Sequence, residues 1–270
     1  MKPLTYISVK DPKLKEEPKM EENKIDAQKQ VVSLSAEELF ADAGAGLENV
    51  TPEDLIVPQL KLVQTNSPMV DPNEGAYIKG AKVGDIVNSV TGEFYDGDKG
   101  IRVIPVAYRR VFLEFVDREM GGGLVQIHDN PSILSKTTRS EKGQDVLEGG
   151  NYIQTTANHY ILIIEEGKAT PVMAAMSSTQ LKKSRRWNSI MAGIRMTGKD
   201  GSSFVPASYS HIYSLASSPE KNNKGSWYGW RIDLVGRLED LNVYNQAKAF
   251  AQSVSASIEG TTQSEEIEAF

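Results

Sequence analysis

The chain has 270 residues, 39% of them apolar, with a formal net charge of -6, three histidines and no cysteine. That length holds one large domain or two small ones with a sizeable core. The composition excludes disulfides, thiol catalysis and thiolate metal sites, and it speaks against a zinc site, because His128, His159 and His211 lie far apart.

Residues 1–35 carry seven Lys against six acids and few large apolar side chains, so they are expected to be disordered. Their N-terminus has no apolar signal core. No apolar run in the chain approaches the roughly 18 residues of a membrane span. A cytoplasmic protein without a membrane partner is expected. Ser35 followed by Glu38 is a capping box that predicts a short helix at 35–40, ending by Gly44 and Gly46. Residues 36–60 carry six acids and no base, and Pro58 forces the chain extended.

From Gln59 to Ile164 strand signals dominate. Residues 84–95 read as strand, turn, strand, with the reversal near Asn88-Ser89 and Thr91-Gly92. Residues 101–118 form a long β-rich run in which Pro105 implies an edge or a bulge. Gly121-Gly122-Gly123 is a turn, since no Lys-Ser/Thr follows to make a phosphate loop. The polar stretch 129–151 reads as a long loop, and 159–177 as a hairpin across Gly167-Lys168.

Residues 178–196 carry the strongest helix pattern, with Leu181, Trp187, Ile190, Met191 and Ile194 near the 3.6 period. Two further strands, 202–217 and 226–238, flank SPEKNNKG, read as a loop. Residues 239–258 predict a last amphipathic helix before an acidic tail, 259–270. Many strands and few helices, without βαβ alternation, predict a β-rich α+β or barrel domain over 36–258.

Residues 61–258 hold 23 basic and 20 acidic side chains, so the acid sits at the edges of a mildly basic middle. No nucleophile motif is present. Glu165-Glu166 beside a turn and the acids Asp85, Glu93, Asp96 and Asp98 fit solvated loops better than catalysis or a cation site. No enzyme, cofactor or metal is expected.

What remains is aromatic residues interleaved with cations. In the first cluster, alternation puts Tyr108, Arg110, Phe112 and Glu114 on one face of a strand, a stacking-plus-charge face unless Tyr108 and Phe112 are also core. The second is Lys182, Lys183, Arg185 and Arg186, four cations in about 1.4 helical turns. These form either a solvated surface or a phosphate-binding strip. The third is Trp227, Tyr228, Trp230 and Arg231. Here Tyr228 and Trp230 share a face, and Gly229 leaves room for a base against the backbone. The tail adds Glu265, Glu266 and Glu268 and ends on Phe270, an anionic and hydrophobic tip suited to a pocket on a partner, unless that last residue is incidental. Such a tail is also drawn to a cationic groove on its own domain, where it would compete with DNA.

The ending EEIEAF resembles the acidic, aromatic-ended C-terminus of bacterial and bacteriophage single-stranded-DNA-binding proteins. The stretch IVPQLKLVQTNSP, with GDIVNSVTGE and IRVIPVAYRRVFLEF, is similar to a bacteriophage group taken to be single-stranded-DNA-binding replication proteins. The resemblance implies an OB-like β-barrel with flanking helices and disordered termini. It also implies binding without catalysis, and a tail that recruits replication proteins such as a polymerase or helicase. The length and the charged N-terminus depart from the bacterial type, which leaves homo-oligomer formation open. Competing expectations are a ring-forming annealing recombinase, a metal-dependent nuclease, and a structural virion or adaptor protein.

Overall fold

The computed structural model describes residues 35–50, 56–165, 167–223 and 225–267, with side chains described as far as 256. The chain divides into two compact units, Met1–Thr51 and Pro52–Phe270. In the first, α1 (Ala36–Ala41) starts on the predicted capping box. Ser35 Oγ accepts from the Glu38 amide at 3.2 Å, and the Ser35 amide donates to Glu38 Oε2 at 2.8 Å. These bonds hold the Glu38 carboxyl below its usual range.

The second unit is a curled half-barrel sheet with helices packed on it. In chain order its strands are β1 (Gln59–Leu62), β2 (Ile86–Asn88), β3 (Phe94–Tyr95), β4 (Ile101–Phe115), β5 (Leu124–His128), β6 (Thr137–Arg139), β7 (Asp145–Leu147), β8 (Tyr152–Glu165) and β9 (Lys168–Ser177). After α2 (Leu181–Gly193) come β10 (Met196–Thr197), β11 (Ser203–Phe204), β12 (His211–Asn222), β13 (Gly225–Arg237) and α3 (Leu241–Ile267). The main path of the sheet runs β13-β12-β4-β8-β9-β1-β2-β3, with β5 beside β4 and β7 beside β8; β10 and β11 form a separate pair. The β1–β9 pairing is parallel, and the other strand pairings of the sheet among the described residues are antiparallel.

Pro105 sits at the predicted bulge, where the β4–β8 register shifts between Pro105 and Ala107. The hairpin at 159–177 closes where Glu165 faces Lys168. The turn between β2 and β3 is held by Asn88 Oδ1, which accepts from the amides of Val90 and Thr91 at 3.0 and 3.2 Å.

The central strands read as continuous apolar runs because both their faces are covered. On one face, Val103, Ile161, Ile163 and Met176 pack with Trp187 of α2 and with Tyr213, Trp230 and Ile232. On the other, Ile104, Val106 and Leu162 pack with Leu238 and with Val243 and Ala247 of α3.

Three expectations are corrected. The stretch 129–151 is not a loop throughout. It holds a 3-10 segment, Pro131–Lys136, and the short β6–β7 pair. SPEKNNKG is not a loop either, since the β12–β13 hairpin stays paired out to Asn222 and Gly225. Pro219 is tolerated because it lies opposite Tyr228, whose amide points away from β12 to Gln64 Oε1 at 2.8 Å. The pair is therefore a non-hydrogen-bonded one, and Pro219 removes no bond from the hairpin. Finally, the backbone of α3 continues to Ile267, where a disordered tail was expected from 259. Residues 259–267 contain no proline, and one glycine inside a helix costs only about 1 kcal/mol. Among the described residues no helix is long and apolar enough to cross a membrane.

Candidate nucleic-acid interface

The edge of β13 is where the site is assembled. Among the described residues no strand pairs with the outward amides of Tyr228 and Trp230, and two glutamine side chains bond to this edge instead. Gln64, just past β1, accepts from the Tyr228 amide at Oε1, at 2.8 Å, and its Nε2 donates to the Tyr228 carbonyl at 3.0 Å. Gln180, just before α2, accepts from the Trp230 amide at 3.0 Å. These side chains stand in for strand neighbours on an otherwise open edge. Gln180 also ties β13 to the start of α2, and Gln64 ties it to the end of β1.

Helix α2 is fixed to the sheet by its buried stripe. Trp187 is fully buried, stacked on His159 at 4.6 Å between ring centroids and edge-on to Tyr213 at 5.6 Å. Ser184 Oγ lies 2.8 Å from His159 Nε2. Ile194 falls just past the end of the helix, as its C-cap. With that stripe inward, Lys182, Arg185 and Arg186 are exposed, and no carboxylate pairs with them among the described residues. Lys183 differs. Its Nζ is 2.6 Å from Glu220 Oε1.

Glu220 lies opposite Trp227 on the hairpin, and its Oε2 accepts from Trp227 Nε1 at 3.1 Å. Lys182, Lys183, Arg185, Glu220 and Trp227 thus line one groove of about 670 Å³. The groove shares Ser178, Thr179 and Leu181 with a neighbouring one of about 720 Å³. In that second groove two of the three cations are paired with acids, Arg139 with Asp145 at 2.7 Å and Lys142 with Glu119 at 2.8 Å. The Glu119 contact raises the affinity of Lys142 for its proton.

The sequence-predicted residues divide accordingly. Trp227 is half-buried in the groove, while Arg231, four residues further along β13, is exposed and tied to the Asp98 carbonyl at 3.1 Å. Tyr228 is half-buried against Gly84, where an added Cβ would come within 2.7 Å of its ring. Trp230 does not present its ring to a ligand. It is buried at 3% exposure in the core beneath α2, because the face it shares with Ile232 is the covered one.

Phe112 is likewise core, at 2% exposure, although it alternates with the exposed Tyr108 and Arg110. Val111 is buried too, so both faces of β4 are covered at this point. The Arg110 guanidinium lies over the Phe112 ring at 5.6 Å. Tyr108 packs on His159 at 5.0 Å and so reaches the α2 cluster through that ring. Glu114, on the same strand, accepts from Asn151 at 2.6 Å and lies 2.7 Å from His128 Nε2. These bonds hold its carboxyl below the usual range.

The space over Gly229 is not open to a base. A Cβ there would run into the Glu220 carboxylate and would come within 2.8 Å of Gln180 Nε2. Residue-level reading missed Glu220, Gln64 and Gln180. Glu220 was hidden inside the segment taken for a loop, and the glutamines carry no local signal. Glu265 and Glu266 lie on the α3 backbone with side chains outside the described residues, and Glu268 and Phe270 lie outside them altogether.

Residues 27–259 match the family described as Pam3 phage gp34-like protein. The chain belongs to this family. Membership supports a bacteriophage origin. No curated protein and no solved structure gave a match.

Proposed function

We propose that this member of the gp34-like family is a non-catalytic single-stranded-DNA-binding protein of phage DNA replication or recombination, built on an OB-like β-barrel. One observation carries the reading. The partly exposed ring of Trp227 and the cations Lys182, Lys183 and Arg185 line one groove, with Arg186 exposed on the same helix. A π-surface beside cations is how sequence-tolerant binders hold bases and phosphates together. The acidic tail, with Glu265, Glu266, Glu268 and Phe270, would compete for that groove and recruit a polymerase or helicase.

The test is titration with oligo-dT at several salt concentrations. Three exposed cations engaged on phosphates give a slope of log K against log salt of about 2, at roughly 0.7 per phosphate. Trp227→Ala should weaken binding by about 1–3 kcal/mol. Absent binding, or binding that salt does not change, refutes the proposal.

A second reading, an annealing recombinase that forms rings on single strands, draws on β5. This strand pairs only with β4 among the described residues and exposes Leu124, Val125 and Ile127. An apolar strand with an open edge is a self-association template. Particle size with and without DNA separates the two readings.

A further inference from the structure

The groove contains an anion of its own. Glu220 belongs to the hairpin arm, yet its carboxylate is turned in among the cations, with one oxygen on Lys183 Nζ at 2.6 Å and the other on Trp227 Nε1 at 3.1 Å. The side chain is only 21% exposed. It occupies the space over Gly229, which any larger residue there would close. A carboxylate in a groove for nucleic acid repels phosphate. It also neutralises Lys183, the cation paired with the same carboxylate that holds the Trp227 indole.

We infer that Glu220 is a built-in competitor for nucleic-acid phosphate, holding Lys183 and Trp227 in a closed set that an incoming strand must displace. The inference rests on the single-stranded-DNA reading of this groove. Displacement exchanges one anion for another: Lys183 passes from carboxylate to phosphate, and the Trp227 indole N–H leaves Glu220, so the ring becomes free to stack. Binding then costs the breaking of an ion pair and a charge-assisted hydrogen bond, which sets the affinity below what the same groove would give without the carboxylate. The device keeps the strand exchangeable, as a protein that must be cleared from DNA requires.

The experiment measures binding of dye-labelled oligo-dT by anisotropy for the full-length chain, for Glu220→Gln, and for Glu220→Gln combined with Lys183→Ala. Glutamine keeps the shape of the side chain and removes its charge. The inference expects Glu220→Gln to bind about five-fold tighter or more at low salt. The salt slope should steepen by about 0.7, because in the variant no freed Glu220 takes up a counterion when Lys183 meets its phosphate. Both gains should vanish when Lys183 is also removed. Equal or weaker binding by a folded Glu220→Gln, with the unaltered chain still binding, overturns the inference and leaves the single-stranded-DNA reading standing. If neither protein binds, both fall.

A measurement on the unaltered chain does not depend on the variant folding. The Trp227 indole N–H resonance, assigned with Trp227→Phe, should move when oligo-dT is added, because its bond to Glu220 breaks. A resonance that stays in place while the oligonucleotide binds also overturns the inference.

Discussion

Acid should loosen the contact between α2 and the sheet through one ring, His159. The ring is 1% exposed, stacked on Trp187, bonded to Ser184 through Nε2 and, among the described residues, without a hydrogen-bond partner at Nδ1. Burial pushes its pKa down to about 3. An unfolded histidine titrates near 6.5. The folded value is the lower one, so the contribution to stability is fully present above about pH 6.5 and is lost as pH falls toward 3. Between those limits the unfolded chain binds one more proton than the folded one, which costs about 1.4 kcal/mol per pH unit.

From pH 7.5 to 5.0 the loss is about 2 kcal/mol from this residue. His211 adds to the slope in the same direction, since burial and Arg237 lower its pKa as well. The comparison must therefore be with His159→Gln, not with a pH-independent baseline. Urea unfolding followed by far-ultraviolet circular dichroism at pH 7.5, 6.5, 5.5 and 5.0 gives both profiles. The variant starts less stable, but its profile should fall by about 2 kcal/mol less over that range. Parallel profiles would refute the reasoning, because they would mean that His159 is hydrated or protonated in the fold.

Two stability predictions concern the edge of β13. Trp230→Ala should cost about 3–5 kcal/mol, read as a lower urea midpoint, because a buried ring is removed. A folded variant of unchanged stability would contradict its place in the core. Gln64→Ala leaves the Tyr228 amide and carbonyl without their partner, which should cost about 1–3 kcal/mol by the same assay. No loss would mean that water replaces the side chain.

The elements legible in the sequence are those whose signal is local. Ser35 with Glu38 fixed a helix start, Pro105 marked a bulge, and the spacing of Leu181, Trp187, Ile190 and Met191 marked α2 and its inward face. Alternation also grouped Tyr228 with Trp230 and Tyr108 with Phe112 correctly by strand face. It could not say which face is covered, because that depends on α2 and α3 packing from distant parts of the chain. Phe112 and Trp230 were misplaced for this reason. The pairing of Glu220 with Trp227 depends on hairpin register, which Pro219 and the run of Lys and Asn concealed. Gln64 bonds to a backbone 164 positions away, a contact no window of sequence contains.

The three tryptophans divide the work of the site, and the division follows from which strand face each occupies. Trp187 and Trp230 are buried in one core and hold α2 against β13. Trp227, on the opposite face of β13 from Trp230, remains at the groove. The cations of α2 and the ring of Trp227 are thus carried on elements packed together and tied by Gln180, so their spacing does not depend on a mobile loop. On the proposed single-stranded-DNA reading, such a groove would need little reordering to receive a strand, and the charge of Glu220 would resist entry. Removing that charge and removing the Trp227 ring should therefore move affinity in opposite directions while leaving the buried pair intact. A reading in which Trp227 serves only to pack the hairpin has no reason to expect that opposition.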